Sequence, residues 1–214
     1  MIAVEVGGEP IILLPQHAAL LPQRRLLLVA DVHIGKAVSF RRLGVPVPQG
    51  TTTETLQRLS GVVDAHHAEH VVFLGDFLHS PHAHAPATLA ALHRWRMRHA
   101  ELRLTLVRGN HDDRAGDPPE ALGFEVVDEP LRVGGLALCH HPKPVTGAYT
   151  LAGHWHPCVS IGRGLDHARL PCFWLGREVG ILPAFGAFTG MHAARPEAGD
   201  RLFVVADDRV HALG

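Results

Sequence analysis

Short runs of apolar residues recur along the chain, and each is followed by a polar residue that could bind a ligand or take part in catalysis. The runs cover residues 26–30, 71–74, 102–107 and 136–139, and they lead to Asp31, Asp76, Asn110 and His140. Such runs are typical of buried β-strands, although periodicity alone does not separate them from buried helix. Because binding residues usually sit on loops held by a rigid sheet, the repetition predicts strands that deliver functional side chains.

Residues between the first two runs show helical periodicity. The sequence of residues 51–54 is typical of a capping box, in which a threonine hydroxyl and a glutamate satisfy free amides at a helix start. We therefore predict a helix over about residues 52–67. Leu56, Leu59 and Val63 recur at helical spacing and would form its buried face.

A second helix is predicted over residues 86–99, because Pro86 is favoured at a first helical position. Trp95 in this helix is expected in the core. The rest of the chain becomes β-rich, with strands expected at residues 124–127, 170–174, 179–182, 202–206 and 209–211. Asp207 and Asp208 would form the tip of the last hairpin.

Composition and length predict a single α/β domain spanning residues 1–214. The hydrophobic content is 46%, which is ample for a core, yet no apolar stretch is long enough to cross a membrane. The N-terminus lacks the features of a signal peptide, so we expect a cytoplasmic protein. Cys139, Cys158 and Cys172 are odd in number and lack metal-finger spacing, which argues against a disulfide framework.

Five short motifs supply side chains that suit a pair of metal ions. In chain order they are Asp31-Val32-His33, Gly75-Asp76, Gly109-Asn110-His111-Asp112, His140 and Gly153-His154-Trp155-His156. Two cations about 3.5–4 Å apart need a bridging carboxylate and a bridging water, and Asp76 is the natural bridge. Imidazoles with a few hard oxygens suit manganese, iron or zinc better than magnesium or calcium. The 18 histidines make chance matches a concern, but each motif carries partners of other types.

The five motifs resemble the calcineurin-like metallophosphoesterase superfamily over nearly the whole chain. Longer strings resemble one family within it, the ligase-associated DNA-damage-response phosphoesterases (PdeM). These strings are ADVHIGKAVSFRRLGVPVPQGTT, LGDFLH, VRGNHD, CHHP, GHWHP, PCFWLG and LPAFGAFTG. The resemblance implies a four-layer α/β/β/α sandwich, in which two mixed sheets are flanked by helices and the metals lie at one sheet edge.

The resemblance also implies the metal ligands, carried over residue by residue. One metal would be held by Asp31, His33, Asp76 and His156. The second would be held by Asp76, Asn110, His140 and His154. The ions would be divalent transition metals, with Mn²⁺ first and iron or zinc as alternatives. A hydroxide that bridges them would attack phosphorus.

His111 would be the general acid that protonates the leaving group, and Asp112 would hydrogen-bond it to fix its tautomer. The family pattern of histidine, any residue and proline favours His140 as the ligand over its neighbour His141. His79 occupies a position where many superfamily members carry a charged residue. It would either touch substrate phosphate or, as we favour, make a supporting hydrogen bond.

Several cations are candidates for gripping phosphate oxygens near the cleft. Lys36, Arg41 and Arg42 follow the first motif, and Arg108 precedes the third. The alternative is that these side chains lie on solvated loops. The net charge of −1 and the pI near 7.0 do not favour a nucleic-acid-binding protein, so a basic surface would have to be local.

Three functions remain open from the sequence. The leading one is a metal-dependent DNA phosphodiesterase, an endo- or exonuclease that works beside a DNA ligase and other repair proteins. The second is a phosphatase or pyrophosphohydrolase on a nucleotide or a lipid-linked small molecule, which would need a narrow pocket. The third is a non-catalytic, metal-stabilised binding subunit. The complete ligand set together with His111 argues against this third function.

Overall fold

Two mixed β-sheets packed face to face form the centre of the molecule. The computed structural model describes residues 1–47, 50–162, 168–187 and 189–213. The first sheet contains β1 (Ile2–Val6), β2 (Glu9–Leu14), β3 (Ala18–Leu21), β4 (Leu26–Val29), β5 (His70–Leu74), β6 (Arg103–Val107) and β7 (Phe124–Val127), in that order. Strands β1 to β4 are antiparallel, and β4 to β7 are parallel.

The second sheet is built from the C-terminal half of the chain. It contains β8 (Leu131–Val133), β9 (Leu136–Leu138), β10 (Tyr149–Ala152), β11 (Pro157–Ile161), β12 (Ala168–Leu175), β13 (Val179–Ile181), β14 (His192–Ala193), β15 (Arg201–Ala206) and β16 (Arg209–Leu213). Strand β10 runs parallel to both β9 and β13, whereas the hairpin of β15 and β16 joins through β12. Asp207 and Asp208 form the predicted hairpin tip with positive φ angles, as a tight two-residue turn requires.

Alternation along the strands divides the apolar residues between two cores. In β4, Leu26 and Leu28 face the second sheet, where they pack with residues such as Phe173. Leu27 and Val29 face the opposite way, into a core shared with the helices. This alternation is the period-2 geometry of a strand that is buried on both faces.

Four α-helices accompany the first sheet: α1 (Lys36–Arg42), α2 (Thr51–His66), α3 (Pro86–Arg98) and α4 (Asn110–Ala115). Leu56, Leu59 and Val63 of α2 are buried in the core on this sheet, as predicted. Trp95 of α3 is buried in the same core. The predicted α/β class, with two mixed sheets flanked by helices, is confirmed.

One detail of the prediction was wrong. Helix α2 has no capping box, because it is preceded by Gly50 at φ 89° and no side chain caps its first turn. In the described ranges no helix follows Leu122, so the described α-helices accompany the first sheet.

Candidate metal centre

The predicted ligands come from strand ends of both sheets. The parallel strands β4, β5 and β6 place Asp31, Asp76 and Asn110 at one edge of the first sheet. In the second sheet, the parallel strands β9 and β10 deliver His140 and His154. The carboxyl ends of parallel strands form a crevice where ligands bind, and here two such crevices face each other.

Five of these residues adopt a backbone conformation that L-amino acids rarely use. Asp31, His33, Asp76, His154 and His156 have φ angles of 53°, 49°, 51°, 68° and 47°. Each left-handed residue costs free energy, so the conformation persists only where the surrounding structure fixes it. Such strain typically clusters at functional sites. Here it turns the chain sharply at the ends of the strands.

Asp31, His33 and His156 form a first group, whose ligand atoms all lie within 4.8 Å of one another. Nε2 of His33 lies 3.4 Å from Nε2 of His156 and 3.8 Å from Oδ2 of Asp76. Nε2 of His156 lies 3.5 Å from Oδ1 of Asp31. Two imidazole nitrogens and two carboxylate oxygens therefore face one small space.

The second group forms around His140, whose ring is fully buried. Its Nε2 lies 2.9 Å from Oδ1 of Asn110, 2.9 Å from Nδ1 of His154 and 3.5 Å from Oδ1 of Asp76. The Asp76 carboxylate thus presents Oδ2 to His33 and Oδ1 to His140. A carboxylate between two such groups has the position that a bridging ligand needs.

Backbone carbonyls set the tautomers of two of these imidazoles. Nδ1 of His140 donates to the carbonyl oxygen of Leu74 at 3.1 Å, and Nδ1 of His156 donates to that of Gly190 at 2.8 Å. In both rings Nε2 is left with its lone pair directed at the carboxylates. This is the arrangement in which the second nitrogen of a metal-binding histidine is fixed by a hydrogen bond.

The donor set fits a pair of cations. Oδ1 of Asp31 is buried and accepts no hydrogen bond, which is costly for a carboxylate unless a cation compensates it. Burial lowers the pKa of His33, His140 and His154, which favours the neutral imidazoles that bind metal. Burial also acts to lower the pKa of His156, but the charge of the nearby Asp31 carboxylate outweighs it and raises the pKa.

His111 lies beside the bridge. Its Nε2 is 4.0 Å from Oδ2 of Asp76, while its backbone N–H donates to Oδ1 of the same carboxylate at 2.9 Å. Nδ1 donates to the carbonyl oxygen of His79 at 2.8 Å. With Nδ1 held as a donor, Nε2 is the nitrogen that can carry an exchangeable proton into the cleft.

The predicted hydrogen bond between Asp112 and His111 was wrong. Oδ1 of Asp112 accepts from the backbone N–H of Leu78, and Oδ2 accepts from that of Gly109. The side chain is fully buried, and burial raises the pKa of Asp112 to about 6. Asp112 therefore links the segment after the second motif to the third motif. The backbone carbonyl of His79, and not Asp112, fixes the tautomer of His111.

The imidazole of His79 lies between two residues of the site. Its ring stacks on that of His111 with centroids 4.8 Å apart, and its Nδ1 lies 3.4 Å from Nδ1 of His33. Burial lowers the pKa of His79 to about 4, so the ring is neutral near pH 7. This placement matches the supporting position that we favoured over a phosphate contact.

The candidate cations occupy different surroundings. Lys36 begins α1 and is half-buried; burial lowers its pKa, and the charges of Asp76 and Asp31 act in the opposite direction. Arg41 and Arg42 lie exposed in the last turn of α1, where Nη1 of Arg42 is 3.2 Å from Nδ1 of His82. Lys36 therefore faces the carboxylates of the site, whereas the two arginines lie on the surface.

Arg108 does not contribute to a basic patch. Its guanidinium donates to Asp117 at 2.9 Å and 3.0 Å and to Asp128 at 2.6 Å. These carboxylates raise the pKa of Arg108 and neutralise its charge. The proposed basic patch is therefore smaller than the sequence suggested. The sequence did not reveal the two acidic partners, because they are separated from Arg108 along the chain.

Glu129 supports the site, although it was not identified as a site residue from the sequence. Its Oε2 accepts the backbone N–H groups of His140 and His141 at 2.8 Å and 2.9 Å, and its Oε1 lies 2.9 Å from Nδ1 of His141. The ring of His141 is thus engaged by Glu129, whereas that of His140 faces Asn110 and Asp76. No motif marks Glu129, because a lone glutamate between two strands is common.

Three positions of the family strings lie outside the described residues. They are Pro48, Gln49 and Phe188.

The geometry of this centre agrees with the comparison against known families. A family model described as calcineurin-like phosphoesterase matches residues 24–167, which include every predicted metal ligand. The chain belongs to the calcineurin-like phosphoesterase family. It is accordingly a metal-dependent phosphodiesterase of a family that uses two metal ions. No curated protein matches the chain.

Solved structures give a nearer relative. The crystal structure of Pseudomonas putida nuclease MPE is 44% identical, covers 99% of both chains and superimposes with a TM-score of 0.89. The phosphoesterase Yfce from E. coli is 16% identical, with 86% of this chain and 88% of that chain covered and a TM-score of 0.40. The protein AQ665 from Aquifex aeolicus is 19% identical, with 61% and 78% covered and a TM-score of 0.39.

The membrane prediction is also addressed by the structure. Among the helices of the described residues, none is long and apolar enough to span a bilayer.

Proposed function

We propose that this chain is a DNA nuclease that hydrolyses phosphodiester bonds with two metal ions. The observation that carries the proposal is the Asp76 carboxylate, whose two oxygens face two separate groups of imidazole and oxygen ligands. A nuclease that is 44% identical over nearly the full length of both chains supports nucleic acid as the substrate.

The ligand sets follow from the two groups. Asp31, His33, Asp76 and His156 would hold one ion. Asp76, Asn110, His140 and His154 would hold the other. When bound, two divalent cations lower the pKa of a water molecule and polarise the phosphoryl oxygens. Mn²⁺ suits this mixture of imidazole and oxygen donors, with iron or zinc as alternatives.

His111 would transfer the proton that the leaving oxygen requires. Its Nδ1–H is held by the carbonyl oxygen of His79, so the proton for the leaving group is delivered from Nε2. The stacked ring of His79 limits rotation of His111. A positioned acid of this kind contributes about 10²–10⁴-fold to rate.

Lys36 would neutralise charge on the substrate phosphate. Its ammonium group lies within electrostatic range of Asp76 and Asp31 and is only half-buried. Arg41 and Arg42, one helical turn or more further along α1, would contact phosphates beyond the scissile one. His79 would act through His111 and His33, without touching phosphate.

The wider context is proposed from the family strings. Repair of DNA beside a ligase and other repair proteins would suit a phosphodiesterase, and we propose that it takes place in the cytoplasm. The cysteines Cys139, Cys158 and Cys172 are free and buried, as expected in a reducing compartment. Residues 1–214 would act as one domain.

A direct test compares substrates on the manganese-loaded enzyme. Single-stranded, nicked and duplex DNA are compared, at least one of them should be cut, and Asp76→Ala should abolish that cutting. Nucleotides and lipid pyrophosphates serve as the comparison. Faster hydrolysis of these small molecules with no cutting of DNA would replace the nuclease by a phosphatase or pyrophosphohydrolase.

A further inference from the structure

A pair of tryptophans borders the metal centre, on the side of the second sheet. Trp155 separates the predicted ligands His154 and His156, and Trp174 lies on strand β12. The centroids of the two indole rings are 5.8 Å apart, with an angle of 42° between the ring planes. With His154, His192, Ala193 and Arg195, the rings line an open depression of about 530 Å³.

Trp155 is exposed to an unusual degree for its size, with 44% of its surface accessible. An exposed indole forgoes the apolar burial that makes tryptophan valuable in cores and interfaces. Trp95, the tryptophan of helix α3, is by contrast buried at 6%. The exposure of Trp155 therefore points to an occupant that covers its ring.

The ring of Trp174 and the backbone of Trp155 are held in place before any ligand arrives. Nε1 of Trp174 donates to Oδ2 of Asp200 at 2.6 Å, and the same oxygen accepts the backbone N–H of Glu197 at 2.9 Å. The carbonyl oxygen of Trp155 accepts from Nδ1 of His192 at 3.1 Å. A fixed aromatic surface loses little conformational entropy on binding, which favours stacking of a planar ligand.

His154 connects this depression to the metal centre. The depression is lined by His154, a predicted metal ligand, together with both tryptophans. A nucleotide next to a phosphodiester at the metals would therefore come within reach of the ring pair. Arg195 adds a positive charge to the same depression, whereas Glu197 and Asp200 line a neighbouring depression that both tryptophans also border.

We propose that Trp155 and Trp174 form a stacking platform for an unpaired nucleobase next to the scissile phosphate. This inference rests on the proposed nuclease function and narrows its substrate. Bases inside a duplex are already stacked on both faces, so only a single strand, a flap or a gap can offer a free base to the platform. Arg195 would contact a phosphate of the same strand.

The test combines the removal of a single base from the substrate with the substitution of a single tryptophan in the enzyme. Cutting of short single-stranded oligonucleotides is measured after substituting an abasic nucleoside at each position around the cut site in turn. In the native enzyme, the abasic substitution at one of these positions should lower kcat/KM by about 5- to 150-fold, which is the usual cost of losing a base–aromatic stack. In Trp155→Leu the same abasic substitution should have little further effect, because the partner of the base is gone.

Three further variants make the result specific. Trp155→Phe keeps an aromatic face and should restore most of the base effect that Trp155→Leu loses. Trp174→Phe tests the second ring in the same way. Met97→Ala removes an exposed apolar side chain on helix α3, remote from the depression, and should leave the abasic profile unchanged. Thermal unfolding of each variant establishes that the fold is retained.

Fluorescence gives a readout that does not depend on turnover. Oligothymidylate should quench the emission of Trp155 and Trp174 and leave that of buried Trp95, so quenching should be reduced in Trp155→Leu. The proposal is overturned if Trp155→Leu and the native enzyme have the same abasic profile. It is also overturned if light scattering shows that the only effect of Trp155→Leu is to dissociate a dimer of the native enzyme. Failure of the native enzyme to cut any nucleic acid would refute the nuclease function itself.

Discussion

Gly75 lies directly against the ring of His140. A Cβ atom at residue 75 would be 2.7 Å from the Cβ atom of His140 and closer still to its imidazole. The φ angle of Gly75 is also positive, at 76°, which disfavours any side chain. The glycine of the second motif therefore allows the carboxylate of Asp76 and the buried imidazole of His140 to lie side by side.

Gly75→Ala should destabilise the protein and weaken metal binding. The left-handed conformation alone costs alanine about 1–2 kcal/mol, and the clash with His140 adds to it. Urea unfolding and metal content measure the two effects. Gly61→Ala is the matched control, because a Cβ at this position in helix α2 would meet no atom within 4 Å. That variant should gain about 0.5–1 kcal/mol, and equal losses in both variants would contradict the role assigned to Gly75.

His111→Ala should retain both metal ions and lose most of its turnover. The side chain is not one of the predicted metal ligands, and its Nε2 lies 4.0 Å from Asp76, so its removal should leave those ligands in place. We expect kcat to fall by about 10²–10⁴-fold. Metal analysis and cutting of single-stranded DNA measure the two properties. His93→Ala, on the exposed face of helix α3, serves as the control. Unchanged hydrolysis of a generic aryl phosphodiester by His111→Ala would refute its role as an acid.

Asp76→Ala should empty both metal positions. Its two carboxylate oxygens face different ligand groups, so neither group is complete without it. The native protein should gain about 2.7 kcal/mol of stability when the free metal concentration is 100 times Kd, and the variant should gain almost none. Thermal unfolding with and without Mn²⁺ measures this difference. If the variant still bound two ions, Asp76 would not be the bridge.

Glu129→Ala should loosen the second metal position without abolishing it. Glu129 accepts both backbone N–H groups at His140 and His141, and these donors outweigh burial to lower its pKa. Loss of such a supporting partner typically costs 10–100-fold in metal affinity, roughly the range expected here. Titration of the apoprotein with Mn²⁺ measures it. Glu125→Ala removes an exposed ion pair with Arg103 and a hydrogen bond from Thr105, and it should bind metal normally.

The strands and their terminal ligands could be predicted because the information is local. A buried strand needs a continuous apolar run, as in β4, and Asp31 follows that run directly. The hairpin formed by β1 and β2 carries a comparable pattern around Gly7 and Gly8, both of which have positive φ angles. That hairpin was overlooked although its turn residues are typical.

Other features depend on which of several partners a side chain meets in the fold. Asp112 was expected to bond its neighbour His111, but Oδ1 accepts from distant Leu78, and Oδ2 accepts from Gly109 in a capping box at the start of α4. Arg108 was a candidate for a basic patch at the cleft, but Asp117 and Asp128 neutralise it. The contacts with Leu78, Asp117 and Asp128 are set by the fold, so they required the structure.

The tryptophan pair shows the same limit at the substrate surface. Trp155 could be read from the sequence only as part of a metal-binding motif, and Trp174 only as part of a predicted strand. Their proximity arises because β12 lies in the same sheet as β10, the strand before Trp155. Pairing within the second sheet, and not spacing along the chain, brings the rings together.

Because each of the two sheets contributes part of the predicted metal centre, binding of the cations would come late in the synthesis and folding of the chain. A nascent chain that has been synthesised only through β6 carries Asp31, His33 and Asp76 but none of the histidines that follow β9. High-affinity uptake would therefore wait until the chain has been synthesised past His156 and the two sheets have packed together. Occupancy by two ions would then report that assembly is complete.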